Sequence, residues 1–84
     1  MTIMEAAIEA AKGGAQMIRE RKGEPRQYDV KPIFTGSKRG WTMLDSFTAS
    51  AIVAVANALN PENLAKYNAL ALPRLITVTW KLVK

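Results

Sequence analysis

The 84-residue chain contains neither cysteine nor histidine. Disulfides, thiolate chemistry and zinc sites with Cys or His ligands are therefore excluded, and the commonest general base is missing. A chain of this length is expected to form a single domain, residues 1–84, because it cannot bury enough surface for two cores. Packing must stabilise the fold, either alone or together with self-association.

Carboxylates are few and scattered along the chain. None of them has the spacing of a metal-binding loop, and Glu5 and Glu9, four residues apart, indicate a solvated helix face better than a catalytic pair. The acidic residues are Glu5, Glu9, Glu20, Glu24, Asp29, Asp45 and Glu62. We therefore expect that the protein is not an enzyme and that it holds no cofactor and no metal.

Long apolar runs are absent as well. The longest stretch of low charge, residues 46–62, contains Asn57 and Asn60 and is too short to span a hydrocarbon layer of about 30 Å. The N-terminal residues lack the basic start, the apolar run and the cleavage site of a signal peptide, and Glu5 and Glu9 interrupt them. The expectation is a soluble protein without membrane contact.

Positive charge is concentrated in one part of the chain. Twelve Lys and Arg against seven Asp and Glu give a net charge of +5, which suits nucleic acid or an acidic protein surface. The segment from Arg19 to Trp41 is basic, whereas the remainder after it is nearly uncharged and rich in alanine and leucine. We predict that this segment binds the partner through Arg19, Arg21, Lys22, Arg26, Lys31, Lys38 and Arg39, together with Tyr28. The alternative is a solvated loop whose aromatic rings are buried.

The first half is predicted to form one long helix followed by a loop. Thr2 and Glu5 form a capping box, and an apolar stripe from Met4 to Ile18 extends the helix to about residues 3–22. Gly13 and Gly14 interrupt this pattern, and close packing against another backbone explains them better than a hinge. Gly23 is a suitable C-cap.

Residues 23–41 are predicted to be a basic loop. The helical period is lost here, and regular structure is blocked by Pro25, Pro32, Gly36 and Gly40. Apolar and charged residues alternate from Tyr28 to Lys31, which indicates a short extended segment. Pro32 would restrict such a strand to the edge of a sheet. The large apolar side chains Ile33, Phe34 and Trp41 are expected to pin the loop to the core.

The second half carries the signals of three further helices, at about 45–59, 61–70 and 73–83. Asp45 or Thr42 can cap the first, and Asn60, Pro61 and Glu62 form a strong start for the next. The helix at 45–59 is apolar on nearly all sides, so we expect self-association, most simply a homodimer. Residues 75–82 also alternate like a strand and leave an alternative open.

Four short stretches carry a resemblance to a known group of proteins. They are Phe47-Thr48-Ala49-Ser50-Ala51-Ile52, Ala58-Leu59-Asn60, Ala71-Leu72-Pro73-Arg74-Leu75 and Trp80-Lys81-Leu82. Residues 47–84 thereby resemble the C-terminal part of small uncharacterised proteins of bacteriophages and other mobile elements. The resemblance implies a helix at 73–83 and a setting in the cytoplasm of a bacterial host cell, where such accessory proteins bind host factors, nucleic acid or defence complexes.

Together these patterns predict a mainly α domain of three to four helices with an irregular basic loop. The alternative is an α+β fold in which 28–34 and 75–82 form a short strand pair. The predicted function is that of a small basic phage-type accessory protein that binds nucleic acid or a nucleoprotein through residues 19–41. The alternative function is a protein–protein inhibitor or adaptor of a host complex, for example of an anti-defence type, with no nucleic-acid contact.

Overall fold

The fold combines four helices with a three-stranded sheet. The computed structural model describes residues 1–24 and 26–83, so the helix-blocking role predicted for Pro25 lies outside the described residues. The elements are α1 (Ile3–Gly13), β1 (Gln16–Glu20), β2 (Tyr28–Pro32), β3 (Thr42–Leu44), α2 (Ser46–Ala58), α3 (Pro61–Asn68) and α4 (Leu72–Leu82). The protein is therefore α+β rather than purely helical, which is the class of the alternative prediction.

The first helix begins as predicted but ends much earlier. The Thr2 hydroxyl accepts from the Glu5 amide at 3.2 Å, and the Glu5 carboxylate accepts from the Thr2 amide at 2.8 Å. The extension to residue 22 is wrong, because Gly14 takes a φ of 97° and its amide caps the helix on the Ala10 carbonyl. No neighbouring atom lies within 4 Å of a Cβ built on Gly14. This glycine therefore ends the helix, and the close packing predicted there is wrong.

The chain after Gly14 becomes the central strand of the sheet. The strand order is β2-β1-β3, and both neighbours run antiparallel to β1. Ile18 pairs with Val30 and faces the helices, where it is fully buried. Pro32 ends β2 at the edge of the sheet, as predicted, since proline cannot donate to a neighbouring strand. The strand predicted at 28–34 is present as β2, but its partner is β1.

The core lies between the inner face of the sheet and the helices. α1 contributes the buried residues Ala6, Ala7 and Ala10 to this core, and α2, which packs against α1, contributes Ala49 and Ile52; the small alanine side chains let the two helices pack closely. Two large aromatic residues of the helices lie outside it. Phe47 in α2 is 82% exposed, and Trp80 in α4 is 47% exposed.

The three helices of the second half are confirmed. The Asp45 carboxylate accepts from the Thr48 amide at 2.7 Å, and the Asn60 side chain accepts from the Asn63 amide at 2.8 Å. Residues 72–82 are helical, so the strand proposed at 75–82 is wrong. The Thr77 hydroxyl donates to the Pro73 carbonyl, which satisfies this polar group within the helix.

None of the helices in the described ranges has the length and apolar character needed to cross a membrane. The longest of them, α2, contains 13 residues. A helix spanning the bilayer needs about 20.

One buried polar contact joins α3 to α4. The Thr79 hydroxyl donates to the Leu75 carbonyl at 2.6 Å, so its oxygen is left to accept from the Tyr67 hydroxyl. Both side chains are buried. This short chain of hydrogen bonds satisfies the phenol of α3 without access to water.

We predict that the two partners of this contact are energetically coupled. Tyr67→Phe should cost about 1 kcal/mol of unfolding free energy, because Thr79 keeps its bond to Leu75. Thr79→Val should cost about 1 to 3 kcal/mol, since it leaves a buried phenol hydroxyl without an acceptor. The double variant should lose less than the sum of the two single changes, as measured by urea unfolding; strictly additive losses would contradict the coupling.

Candidate functional site

The predicted basic residues lie on one structural unit, the sheet and the loops at its ends. Arg19 is on β1, Lys31 is on β2, and the register of the two strands places Arg19 opposite Asp29 and Lys31 opposite Met17. These side chains lie on the outer face of the sheet, away from the core. Lys38 and Arg39 lie on the loop of residues 33–41, which is termed the β2–β3 loop.

Two of the predicted cations are already paired with carboxylates. The Arg19 guanidinium lies 3.4 Å from the Asp29 carboxylate. Arg21 lies 2.9 Å from Glu24 and 3.4 Å from Asp29. These pairs are about half exposed and contribute little to stability, but they neutralise part of the positive charge of the strands.

Trp41 contacts two cations on the outer face of the sheet. The Arg19 guanidinium carbon lies 4.5 Å and the Lys31 Nζ 4.4 Å from the centre of its ring. Met17, which pairs with Lys31 and lies two residues before Arg19 in β1, is only 4% exposed, although it is outside the core cluster. Trp41 pins the loop as predicted, but to the outer face of the sheet rather than to the core.

The β2–β3 loop contains two consecutive tight turns. The Thr35 amide donates to the Pro32 carbonyl at 3.2 Å and closes the first turn. The Trp41 amide donates to the Lys38 carbonyl at 3.0 Å and closes the second, in which Gly40 takes the positive φ of 79° that the third position of a type II turn requires. Arg39 is left at the tip of this second turn.

Further hydrogen bonds fix the segment between the two turns. Lys31 Nζ donates to the Ser37 carbonyl at 2.6 Å, and the Arg39 amide donates to the Ser37 hydroxyl at 3.1 Å. Lys31 thus holds the loop with its ammonium group and contacts Trp41 at the same time. The loop is ordered by its own polar contacts and needs no anchor in the core.

Phe34 does not lie where its hydrophobicity predicts. It occupies the third position of the first turn, and it is 92% exposed instead of pinning the loop. A side chain at the tip of a tight turn points away from the body of the protein, so this position cannot reach the core. The sequence did contain a signal for a turn at this position, because Phe34 lies between the turn formers Pro32 and Gly36.

Tyr28 is not part of the exposed surface. It is 3% exposed and belongs to the core cluster, where burial raises the pKa of its phenol and the Glu20 carboxylate adds to this effect. The structure therefore corrects the placement of this ring as a surface contact. Strand alternation explains the change, since Tyr28 and Val30 share the inner face of β2.

The remaining predicted cations are exposed and project from the two loops. Within residues 1–24 and 26–83 they form no salt bridge. They are Lys22 and Arg26 in the β1–β2 connection, and Lys38 and Arg39 in the β2–β3 loop. These four cations and the exposed ring of Phe34, which shares a loop with Lys38 and Arg39, are the candidate binding residues.

The carboxylates do not gather into a site of their own. Glu5 is engaged in the capping box, where the amide and hydroxyl of Thr2 lower the pKa of its carboxyl group. In the described part of the chain no three acidic side chains come close enough to hold a metal ion together. The arrangement of the loop cations supports anion binding, and the absence of catalysis stays a prediction.

Trp41→Ala tests how the loop is held. We expect a loss of roughly 1 to 2 kcal/mol of unfolding free energy, because the change removes two cation–π contacts. Faster amide hydrogen exchange in residues 33–41 should accompany it, and Trp41→Phe should restore most of the protection. A loss of about 3 to 5 kcal/mol, typical of a large core residue, would contradict the placement on the outer face.

Comparison of the chain with known proteins identifies no relative. Neither the family models nor the curated proteins nor the solved structures give a significant match to the chain. The functional conclusion therefore rests on the arrangement of the residues themselves.

Proposed function

We propose that this protein binds nucleic acid, free or as a nucleoprotein, through the β2–β3 loop and the β1–β2 connection. The observation that carries the proposal is the combination, on one ordered loop, of the 92% exposed ring of Phe34 with Lys38 and Arg39, which form no salt bridge within the described residues. Cations neutralise phosphates, and an aromatic ring contacts bases.

The distribution of charge supports the same surface. Residues 19–41 contain seven Lys and Arg but only three carboxylates, Glu20, Glu24 and Asp29. The rest of the chain is nearly balanced, so most of the net charge of +5 lies on the sheet and its loops. Because Glu24 and Asp29 are paired with Arg19 and Arg21, the outward positive field comes mainly from the loop tips.

The setting proposed for this activity is the cytoplasm of a bacterial host cell, with the protein acting as a phage-type accessory factor. This part of the proposal is supported only by the resemblance of residues 47–84 to mobile-element proteins. The competing proposal, an inhibitor or adaptor of a host protein complex, uses the same cations against an acidic protein surface.

A mobility-shift assay with random duplex and single-stranded DNA and RNA separates the two. Micromolar binding that weakens steeply with added salt is expected, since each phosphate contact releases counterions. No shift with any of these probes at low salt would overturn nucleic-acid binding and would favour the acidic protein partner.

The double variant Lys38→Ala/Arg39→Ala tests the loop directly. It should weaken binding by roughly 1 to 3 kcal/mol and leave the melting temperature nearly unchanged, because exposed charges contribute little to folding. Arg74→Ala/Lys81→Ala is the matched control: it removes the same charge from the exposed side of α4. Equal losses in the two double variants would mean that net charge, and not the loop, determines binding.

Self-association is a separate proposal. It is supported by exposed apolar positions along α2 and α4, where Ala54, Ala58, Leu82 and Val83 border a shallow apolar groove. We expect sedimentation equilibrium to give a mass near twice 9.2 kDa at high micromolar concentration. A mass of one chain under these conditions would refute the dimer without affecting the nucleic-acid proposal.

A further inference from the structure

We infer that the β2–β3 loop selects single-stranded over duplex nucleic acid by stacking an unpaired base on Phe34. This inference rests on the proposed function, because it concerns the same loop. It goes further by naming the form of nucleic acid and the side chain that recognises it.

The Phe34 ring does not contribute to the fold. At 92% exposure the ring buries almost no apolar area, so it adds almost nothing to stability through the hydrophobic effect. A polar residue would suit the third position of the turn at least as well. Nearly the whole ring surface is therefore available to a planar partner.

The two aromatic residues of the loop have different surroundings. Trp41 is engaged by Arg19 and Lys31 and is partly buried against the sheet. Phe34 lies in the same loop but projects into solvent. Because Trp41 and the Lys31–Ser37 hydrogen bond already order the loop, the position of Phe34 is largely set before any ligand binds. Preorganisation lowers the entropic cost of stacking.

Cations accompany Phe34 on the same loop. Two residues separate the two turns, with Phe34 near the tip of the first and Arg39 near the tip of the second, and Lys38 begins the second turn. This places a base-stacking surface and two phosphate-neutralising groups within one short loop. Stacking on aromatic rings tolerates any base, since every base has a π face, so we expect little sequence preference.

Single strands and duplexes differ in what they offer to such a ring. In a duplex the faces of each base are covered by its neighbours, and exposing one costs a few kcal/mol. A single strand offers base faces at a much lower cost. A lone ring on a short loop therefore gains its stacking contact only with an unpaired strand, while the cations can contact phosphates in either form.

The test is binding measured by fluorescence anisotropy with three labelled probes of about 20 nucleotides. These are a mixed-sequence single strand, the corresponding duplex, and a strand of the same length in which every residue is abasic. Wild-type protein should bind the single strand most tightly. Phe34→Ala should weaken binding to the single strand roughly 5- to 150-fold, and it should change binding to the abasic strand less than about twofold.

Two further variants serve as controls for this substitution. Phe34→Tyr keeps the ring and should retain most of the affinity for the single strand. Phe47→Ala removes a phenylalanine that is similarly exposed, at 82%, but lies on α2 outside the loop. It should leave binding to all three probes unchanged. Circular dichroism spectra matching wild type establish that each variant is folded.

The outcomes distinguish this inference from the function on which it rests. Equal binding of single strand and duplex, an unchanged affinity in Phe34→Ala, or an equal loss in Phe47→Ala would overturn stacking on Phe34. If Lys38→Ala/Arg39→Ala still weakens all probes in that case, the phosphate-binding function stands alone. If wild-type protein binds none of the probes at low salt, the proposed function fails together with the inference.

Discussion

The structure depends on the termination of α1 at Gly14. This residue has a φ of 97°, a positive value that residues with a side chain rarely adopt. The chain thereby leaves the helix, and the next residues extend into β1. β1 is the strand that pairs with both β2 and β3. Had the helix continued to residue 22, the sheet would have no central strand. The positions of the basic side chains on the sheet and its loops follow from this one change of direction.

The two faces of β1 link the fold to the candidate site. Ile18 faces the helices and is part of the core, whereas Arg19 faces outward and meets the loop through Trp41. The outer face is thus a support for the β2–β3 loop and not an open platform. Lys31 connects the sheet to the loop, because it lies in β2 and its ammonium group donates to the Ser37 carbonyl. A rigid sheet thereby holds the loop whose tips project into solvent.

Local signals predicted the starts of three helices correctly, because each capping signal depends only on neighbouring residues. The side-chain caps at Thr2, Asp45 and Asn60 form as expected. In the candidate site, the sequence shows directly which segment carries the cations, but the environments expected for two rings are exchanged. Tyr28 is buried by strand alternation, and Phe34 is exposed by a turn; the outcome in each case depends on the backbone path and not on the hydrophobicity of the ring.

By itself the sequence determined the helix starts, the edge position of Pro32 and the concentration of positive charge between residues 19 and 41, since capping chemistry, the missing proline donor and formal charge are local properties. Only the tertiary structure decided that Gln16–Glu20 is a strand. An apolar residue such as Ile18 suits a helical stripe and a strand face equally well, and the pairing of β1 with β2 and β3 settles the choice. The same long-range pairing determines which cations of the sheet are neutralised, because it alone brings Asp29 beside Arg19.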